Sequence, residues 1–252
     1  MAIVLLIAVS AAAVAESAAD AEASYERAFL ERFSKADAAV PLEEYASAAR
    51  YDALYLGDDL DAALSTVNND QGGLAWGLSY RMMSLNGMYR ATGDAKYLEA
   101  NVRCIRASLG ATDDKRGKAL WTGRIVPAWG CDKYAQRGRA VFAVHTGIIT
   151  APIFDCLLLV KENAALSASL GAERDAIRDG ARAALAVHDR QWRDGPEAEA
   201  GHYIGLDQED VCENKPLPGN RISAMGWALW LSAKIDGDAT HRARALAIGR
   251  HI

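Results

Sequence analysis

The amino-acid sequence predicts an all-α protein built from helical hairpins, and three observations support this prediction. Alanine and leucine are abundant and runs of β-branched residues are scarce, a composition that favours helices. Apolar residues recur every three or four positions through much of the chain, which is the period of an amphipathic helix. Two turn segments, ATGDAKYLEA at 91–100 and KIDGDATHRARA at 234–245, resemble each other, and each separates an apolar helix from a more charged one.

The first fifteen residues, MAIVLLIAVSAAAVA, form an apolar run that ends in the A-x-A pattern Ala13-Val14-Ala15. The run is too short to span a bilayer as a mature helix. It also lacks the usual basic residue near its start. We expect a cleaved export signal and a secreted or periplasmic protein that has no membrane contact after cleavage. An uncleaved anchor or a wrongly assigned start are the alternatives.

The segment 16–70 is expected to be helical and to lead into the main domain, 71–252. Its composition predicts a helix over Glu16–Ser34. Leu42–Leu64 has helical spacing and a break near Gly57-Asp58-Asp59. The polar run Asn68–Gly73 is a loop, because it concentrates asparagine and glycine.

The main domain begins with a helix predicted over Leu74–Thr92, which Gly93 stops. Asp94 is positioned to cap a second helix over Ala95–Leu109. A long loop follows, and its stretch from Trp121 to Gly147 mixes aromatic and basic residues with a cysteine and a histidine before an apolar run begins.

Two further hairpins are predicted after this loop. Ala140–Glu162 reads as an apolar helix with a kink or restart at Pro152, and Ala172–Trp192 reads as its amphipathic partner. A polar loop covers Arg193–Pro218. The next helix starts at Asn220 or Ser223 and ends at Lys234, and the last one, capped by Thr240, runs to Ile252 without a stop signal.

The string LNGMYRATGDAKYLEANVRCI resembles the hairpin repeats of the α/α-toroid carbohydrate-active enzymes, and LPGNRISAMGWALWLSAKIDGDATHRARALAIGRHI resembles the next repeat. These enzymes include polysaccharide lyases, unsaturated glucuronyl hydrolases and uronyl epimerases. The resemblance covers about residues 71–252 and implies an α/α toroid. Three hairpins are fewer than a complete toroid needs, and the chain ends within a helix, so we expect an open or truncated toroid.

Charge and motifs exclude several classes of function. The formal charge of -5 gives no reason to expect nucleic-acid binding, although the stretch Lys115–Arg139 contains seven basic residues and one acid, Asp132. Nucleotide-binding, serine-hydrolase and zinc-protease motifs are absent, so no cofactor or metal is expected. Four cysteines allow three disulfide pairings in an oxidising compartment, or they are buried core residues. They are Cys104, Cys131, Cys156 and Cys212.

The resemblance places a ligand cleft where loops enter the inner helices. In this chain those loops are Asn68–Gly73, Asp113–Gly138 and Arg193–Gly219. Aromatic side chains in the second loop are candidates to stack on sugar rings: Trp121, Trp129 and Tyr134. Basic ones are candidates to pair with carboxylate or sulfate groups: Arg124, Lys133, Arg137 and Arg139. The alternative is that the aromatic residues anchor the loop and the basic ones are solvated.

The resemblance also implies a reaction, the β-elimination of a glycan that contains uronic acid, with His and Tyr as the proton-transfer pair. The candidates are His145, at the start of an apolar helix, and His202 and Tyr203 in the third loop. Candidates to neutralise the uronate carboxylate are Arg124, Asn220 and Arg221. Each has a structural alternative: His145 as a hydrogen-bonded core residue, His202 and Tyr203 as loop packing, and Asn220 as a helix N-cap.

Two other functions remain open. A glycoside hydrolase on the same fold needs two carboxyl groups roughly 5–10 Å apart. Its candidates are the loop acids Asp70, Asp132, Asp207, Glu209, Asp210 and Glu213. The third reading is a non-catalytic glycan-binding protein or an inactive fragment. The expected partner in the first two cases is an anionic polysaccharide or oligosaccharide.

Overall fold

The structure is a computed structural model that describes residues 47–195, 197, 199–206 and 212–252. The chain divides into two compact units, Met1–Asp52 and Ala53–Ile252. The predicted export signal and the predicted helix Glu16–Ser34 lie outside the described residues. The packing described below concerns the unit Ala53–Ile252.

The described residues are mainly helical, which confirms the all-α prediction at the level of secondary-structure class. The helices, numbered within these residues, are α1 (Ala48–Tyr55), α2 (Asp58–Ser65), α3 (Ser79–Thr92), α4 (Lys96–Gly110), α5 (Asp113–Arg116), α6 (Ala143–Glu162), α7 (Ala164–Leu170), α8 (Glu173–Ala186), α9 (Gly219–Asp236) and α10 (Ala239–His251). A π-helical turn, Leu74–Leu78, leads directly into α3, and a 3₁₀ turn, Asp189–Gln191, follows α8.

A short antiparallel hairpin was not predicted. Strand β1 (Trp192–Asp194) pairs with β2 (Gly201–Tyr203), and Trp192 lies opposite Tyr203 in the register. The helix predicted over Ala172–Trp192 therefore ends early, at Ala186, and Trp192 belongs to a strand. Part of the segment predicted as a polar loop therefore forms this hairpin, and β2 packs against α10.

Helix ends agree with the predictions at some positions and differ at others. The break at Gly57 is confirmed, since this residue has a φ of 64° between α1 and α2. Asp94 does act at the start of α4, where its Oδ1 accepts a hydrogen bond of 3.0 Å from the Lys96 amide. The prediction of Thr240 as a cap is wrong. The cap of α10 is Asp238, whose side chain accepts from the His241 amide at 2.9 Å.

The N-cap alternative for Asn220 is also wrong. Pro218 occupies the cap position of α9 and Asn220 lies in the first turn of the helix, with an exposed side chain. Proline fits at a helix start because it has no amide hydrogen to leave unpaired. The Asn220 side chain is therefore not committed to capping its own helix.

The hairpins pack as an inner and an outer set of helices. The inner helix α6 has its most extensive contact with α9, and it also packs against α3 and α8. The outer helices α4 and α10 lie against α3 and α9 respectively. This arrangement brings the N-terminal halves of three inner helices, α3, α6 and α9, to a common region, where the loops enter them.

Helices α6 and α9 approach each other closely at Gly147. A β-carbon built at this position would lie 2.5 Å from the backbone carbon of Ala224 and 2.5 Å from the Met225 nitrogen. No side chain larger than hydrogen fits there without separating the two helices. The glycine therefore sets the distance between the two most extensively packed helices of the unit.

Helix α6 is the one described helix that is long and apolar enough to cross a membrane, but 78% of its apolar stretch is buried inside the fold. Its composition is therefore that of a core helix. Pro152 lies inside it, and the Pro152 carbonyl accepts a hydrogen bond of 3.0 Å from the side-chain amide of Asn86 in α3.

The four cysteines are free thiols, and all four are buried. Of the two alternatives that the sequence leaves open, disulfides or buried core residues, the structure shows the second. Burial raises the pKa of Cys104 to about 11. It also raises the pKa of Cys156, which has no exposed surface.

Candidate functional site

Two adjoining clefts lie at the N-terminal halves of the inner helices, and Trp76 lines both of them. The larger cleft has a volume of about 660 Å³ and the smaller one about 400 Å³. The larger cleft is lined by Trp76, Tyr80, Met83, Val144, Ile148, Asn220, Arg221, Ser223, Ala224 and Trp227. The smaller cleft is lined by Gln71, Gly72, Gly73, Trp76, Gly77, Lys133 and Tyr134.

Three large aromatic side chains form the wall of the larger cleft and are open to solvent. Trp76 is 40% exposed, Tyr80 is 48% exposed and Trp227 is 40% exposed. The four-residue step from Trp76 to Tyr80 places both rings on one face of the helical segment. Exposed rings grouped in a concave surface are typical of a ligand site, because burying them against a ligand removes apolar area from water.

The polar groups of the larger cleft come from the first turn of α9. Asn220 and Arg221 both line it, and the Arg221 guanidinium also lies 3.8 Å from the Cys212 sulfur. In the smaller cleft the charged side chain is Lys133. Among the described residues that line either cleft, none is an aspartate or glutamate, so both clefts favour an anionic ligand.

His145 lies at the start of α6, and aromatic rings surround its own ring. Ring centroids are 5.2 Å away for Trp76, 5.6 Å for Tyr134 and 5.2 Å for Phe142. Burial, and to a smaller extent the positive charge of Arg221, lowers the pKa of His145 to about 4. The imidazole is therefore neutral at physiological pH.

Asn69 determines which nitrogen of His145 carries the proton. The Asn69 Oδ1 accepts from the Ala75 amide at 3.1 Å, so its Nδ2 group is the donor. That Nδ2 lies 3.2 Å from His145 Nδ1 and 3.2 Å from the Trp129 carbonyl oxygen. His145 Nδ1 thus accepts a hydrogen bond and the hydrogen sits on Nε2. In this form Nε2 carries the hydrogen, and the lone pair of Nδ1 is engaged by Asn69 and is not free to take a proton.

The other two proton-transfer candidates lie away from these clefts. Tyr203 is buried in β2, where its ring meets the Trp192 ring at a centroid distance of 5.2 Å, and burial raises its pKa to about 12. His202 stacks on His251 of α10 at 4.6 Å, and burial lowers its pKa. Neither residue lines the aromatic clefts, so the structure does not bring Tyr203 and His145 together in them.

The aromatic residues of the long second loop divide between the core and the surface. Trp129 is fully buried and its Nε1 donates to the Ser108 carbonyl at 2.7 Å, so it anchors the loop and offers no face to a sugar. Trp121 is half-buried, and the Arg137 guanidinium lies over its ring at 5.0 Å. Tyr134, 41% exposed, is the member of the predicted set that lines a cleft.

Arg124 lies outside the aromatic clefts. Its side chain is exposed and borders a small separate cavity of about 20 Å³ beside His188 and Gln191. A cavity of this volume holds about one water molecule. The geometry therefore does not support Arg124 as a partner of Asn220 and Arg221.

A buried network of ion pairs holds the second loop in place. It includes three residues that the sequence predicted as site candidates: Arg139, Asp70 and Asp132. Arg139 makes two hydrogen bonds to the fully buried Asp113, at 2.9 Å and 2.7 Å, and contacts Asp132 at 3.1 Å. Asp70 accepts two hydrogen bonds of 2.7 Å from Arg116 and lies 2.8 Å from Arg139. The Arg116 hydrogen bonds lower the pKa of Asp70 to about 2, which is unsuitable for a general acid.

Sequence reasoning missed Trp76, Tyr80 and Trp227, because aromatic residues at helical spacing are counted as core by an apolar pattern. Asp207, Glu209 and Asp210 lie outside the described residues. Within the described residues, no group of three or more His, Cys, Asp or Glu side chains is placed to hold a metal ion.

No family of known proteins matches the chain, and neither a characterised protein nor a solved structure does.

Proposed function

We propose that the two clefts bind an acidic polysaccharide, and that the hairpins belong to an α/α toroid of an exported protein. The observation that carries the proposal is the group of exposed rings, Trp76, Tyr80 and Trp227, facing the same cavity as Asn220 and Arg221. Aromatic faces stack on sugar rings through apolar contact, and an arginine fork pairs with a carboxylate through two hydrogen bonds. The combination fits a uronic acid residue.

The reaction we propose is β-elimination at that residue. Arg221 and Asn220 bind the carboxylate, which stabilises the negative charge that develops when the C5 proton leaves. The electron pair of the C5–H bond forms the C4–C5 double bond, and the C4–O bond breaks. The leaving oxygen takes up a proton, so one product carries an unsaturated uronate at its new non-reducing end and the other carries a new reducing end with a free hydroxyl group.

We assign the proton transfer to Tyr80 instead of Tyr203. Tyr80 lines the same cleft as Arg221 and its side chain is open to solvent, whereas Tyr203 is buried on another part of the unit. A general acid or base must come within hydrogen-bond reach of the proton that it moves. His145 then acts as a neutral hydrogen-bond donor that supports the Trp76 ring, and not as the base.

The charge of the clefts favours β-elimination over glycoside hydrolysis. Hydrolysis with retention or inversion uses two carboxyl groups that flank the scissile bond. None of the described lining residues carries one, and the nearby Asp70 is held by two arginines.

The test compares two tyrosine variants on the same substrates. Purified protein is offered polyuronates such as glucuronan, alginate and polygalacturonate, and the ultraviolet absorbance of the new double bond is followed. Replacing Tyr80 by Phe removes one hydroxyl from the cleft, so we expect a rate loss of about 10²- to 10⁴-fold, the size of one acid–base contribution. Tyr203→Phe is the control and should keep the rate.

Four outcomes decide between the proposals. Loss of turnover in Tyr203→Phe with full activity in Tyr80→Phe would overturn the assignment of Tyr80. New reducing ends without ultraviolet absorbance would replace elimination by hydrolysis. Tight binding of a polyuronate without turnover would leave a glycan-binding protein, and no binding of any acidic polymer would refute the proposed function as a whole.

A further inference from the structure

We infer that the two clefts are successive sugar subsites of one groove, divided by Trp76, and that each subsite has its own cation for an acidic sugar. The inference rests on the proposed function and deepens it. It specifies the ligand as an oligosaccharide long enough to place one charged residue on each side of Trp76, with Arg221 on one side and Lys133 on the other.

The shared residue is the first argument for a single groove. Trp76 lines both cavities, so the two volumes, about 660 Å³ and about 400 Å³, meet at its ring. Each volume lies within the range that small-molecule sites usually have, so each can take its own part of a ligand. A chain that enters both must cross the Trp76 ring, which is 40% exposed and therefore available for stacking.

The way Trp76 is held is the second argument, because a dividing ring must keep its orientation. One edge contact comes from His145, with ring planes at 88°. Gly72, at a φ of 82°, lies on another side: a β-carbon there would be 3.0 Å from Trp76 Cδ1 and 3.3 Å from Tyr134 Cε2. The glycine therefore lets the loop backbone approach both rings closely, and the rings are packed on protein where they do not face the cavity.

The two cations differ in what they can recognise. Arginine offers a planar fork that matches a carboxylate, whereas lysine offers a compact charge on a flexible stem. Lys133 lies over the Tyr134 ring at 5.4 Å, which places its ammonium at an aromatic side chain of the smaller cleft. We therefore expect strict recognition of a carboxylate on the Arg221 side and a more permissive preference for negative charge on the Lys133 side.

A larger side chain at position 77, in place of Gly77, would fill the smaller cleft and leave the larger one unchanged. It lines the smaller cleft and not the larger one, and a β-carbon built on it has no other atom within 4 Å. A leucine at this position therefore projects into open space without displacing the fold. Gly87 is the matched control, because it is also helical, exposed and without a neighbour within 4 Å of a β-carbon, but it lines neither cleft.

The experiment measures binding of the uronate monosaccharide, which fills one subsite, and of uronate oligosaccharides of two to six residues by calorimetry, with the Tyr80→Phe variant used throughout so that the ligand is not consumed. Affinity should rise with length until both subsites are filled. Gly77→Leu and Lys133→Ala should each weaken the long ligands by about tenfold, the size of one lost charged contact or subsite, and leave the shortest ligand unchanged. Gly87→Leu should change nothing.

Separate arms identify the charged group and the larger subsite. Neutral oligosaccharides of the same length should bind weakly, and sulfated ones should be tolerated on the Lys133 side only, so that they bind more weakly than uronates. Arg221→Lys should weaken ligands of every length. If sulfated ligands bind as tightly as uronates, the assignment of a carboxylate-specific subsite is wrong.

Failure of this inference is distinguishable from failure of the proposed function. If uronate oligosaccharides bind but their affinity does not depend on length, or if Gly77→Leu weakens short and long ligands equally, the two-subsite groove is refuted while glycan binding stands. If no uronate oligosaccharide or polymer binds the unmodified protein at all, both proposals are refuted together.

Discussion

At the residue scale, the second loop depends on one buried arginine. Arg139 forms a two-pronged pair with Asp113, which has no exposed surface, and it also meets Asp70 and Asp132. Taking two charges out of water is costly, so such a pair contributes little beyond compensating its own desolvation. Removing one partner strongly destabilises the folded protein, because the other charge stays buried without compensation.

We predict that Arg139→Ala lowers the free energy of unfolding by about 3–5 kcal/mol, since Asp113 loses its counter-ion inside the fold. Chemical denaturation followed by circular dichroism measures the change. The matched variant is Arg137→Ala, two positions away, where the guanidinium is exposed over Trp121. Arg137→Ala should lower the free energy of unfolding by about 1 kcal/mol or less. Equal effects of the two substitutions would show that the buried pair has no special role.

The same scale explains why the candidate site was only partly predictable. The sequence did predict four residues that line the clefts: Arg221, Asn220, Tyr134 and Lys133. They are charged, polar or aromatic residues in loops or at helix starts, where binding residues are concentrated. Trp129 has the same residue type as Trp76 and a loop position that appeared more suitable, yet it is buried and Trp76 is not. Residue type and periodicity do not say which side of an inner helix faces a cavity, so this difference follows from packing alone.

At the element scale, the contact between α6 and α9 depends on Gly147. Since a β-carbon there would sit 2.5 Å from the backbone of α9, an alanine must push the helices apart or distort one of them. We predict that Gly147→Ala destabilises the protein by about 3 kcal/mol or more, at or above the upper end of ordinary overpacking. Thermal unfolding gives the measurement.

The control for this prediction is the same substitution at Gly87. Its β-carbon meets nothing, and the residue lies in the middle of α3. Alanine is a better helix former than glycine, so Gly87→Ala should raise the free energy of unfolding by about 0.5–1 kcal/mol. A neutral Gly147→Ala would mean that the helices are farther apart than the structure places them.

Elements with strong local signals were predictable and those fixed by distant contacts were not. Helices α3 and α4 have a regular apolar period, a glycine stop and an aspartate at the next start, and they occur close to the expected residues. Strands β1 and β2 have three residues each, too short for an alternating pattern; they pair with each other, and β2 packs against α10. Helix α9 continues to Asp236, two residues beyond the predicted end at Lys234, and Gly237 then ends it, so the residue that starts the next helix as its cap is Asp238 and not Thr240.

At the scale of the whole molecule, two buried neutral histidines make stability depend on pH. His145 accepts from Asn69, and His188 contacts Thr146 Oγ1 through Nε2 at 2.8 Å and Gln191 through Nδ1. Burial lowers the pKa of each to about 4, from an ordinary value near 6.5. Both rings therefore stay neutral in the folded protein over a range in which the unfolded chain binds protons.

The direction of the pH effect follows from this difference in bound protons. Between pH 6.5 and 4 the unfolded chain holds more protons than the folded one, so stability falls as the pH falls. The contribution of the two histidines is fully present above about pH 6.5 and is lost by about pH 4. Asp70 acts in a lower window: its pKa of about 2 is below the ordinary 3.8, so its contribution is lost as the pH falls from about 4 to 2.

We therefore predict two successive losses of stability on acidification, the first assigned to histidines and the second including Asp70. Urea unfolding at intervals from pH 8 to about 2 measures the curve. His188→Gln keeps a hydrogen-bonding side chain of similar size but does not titrate, so it should flatten the slope between pH 6.5 and 4. His241→Gln is the control, because this ring is only partly buried and the charge of Asp238 opposes the lowering of its pKa by burial. If His188→Gln leaves the slope unchanged, the folded protein takes up protons at this site near the ordinary pKa, and the buried neutral histidine is refuted.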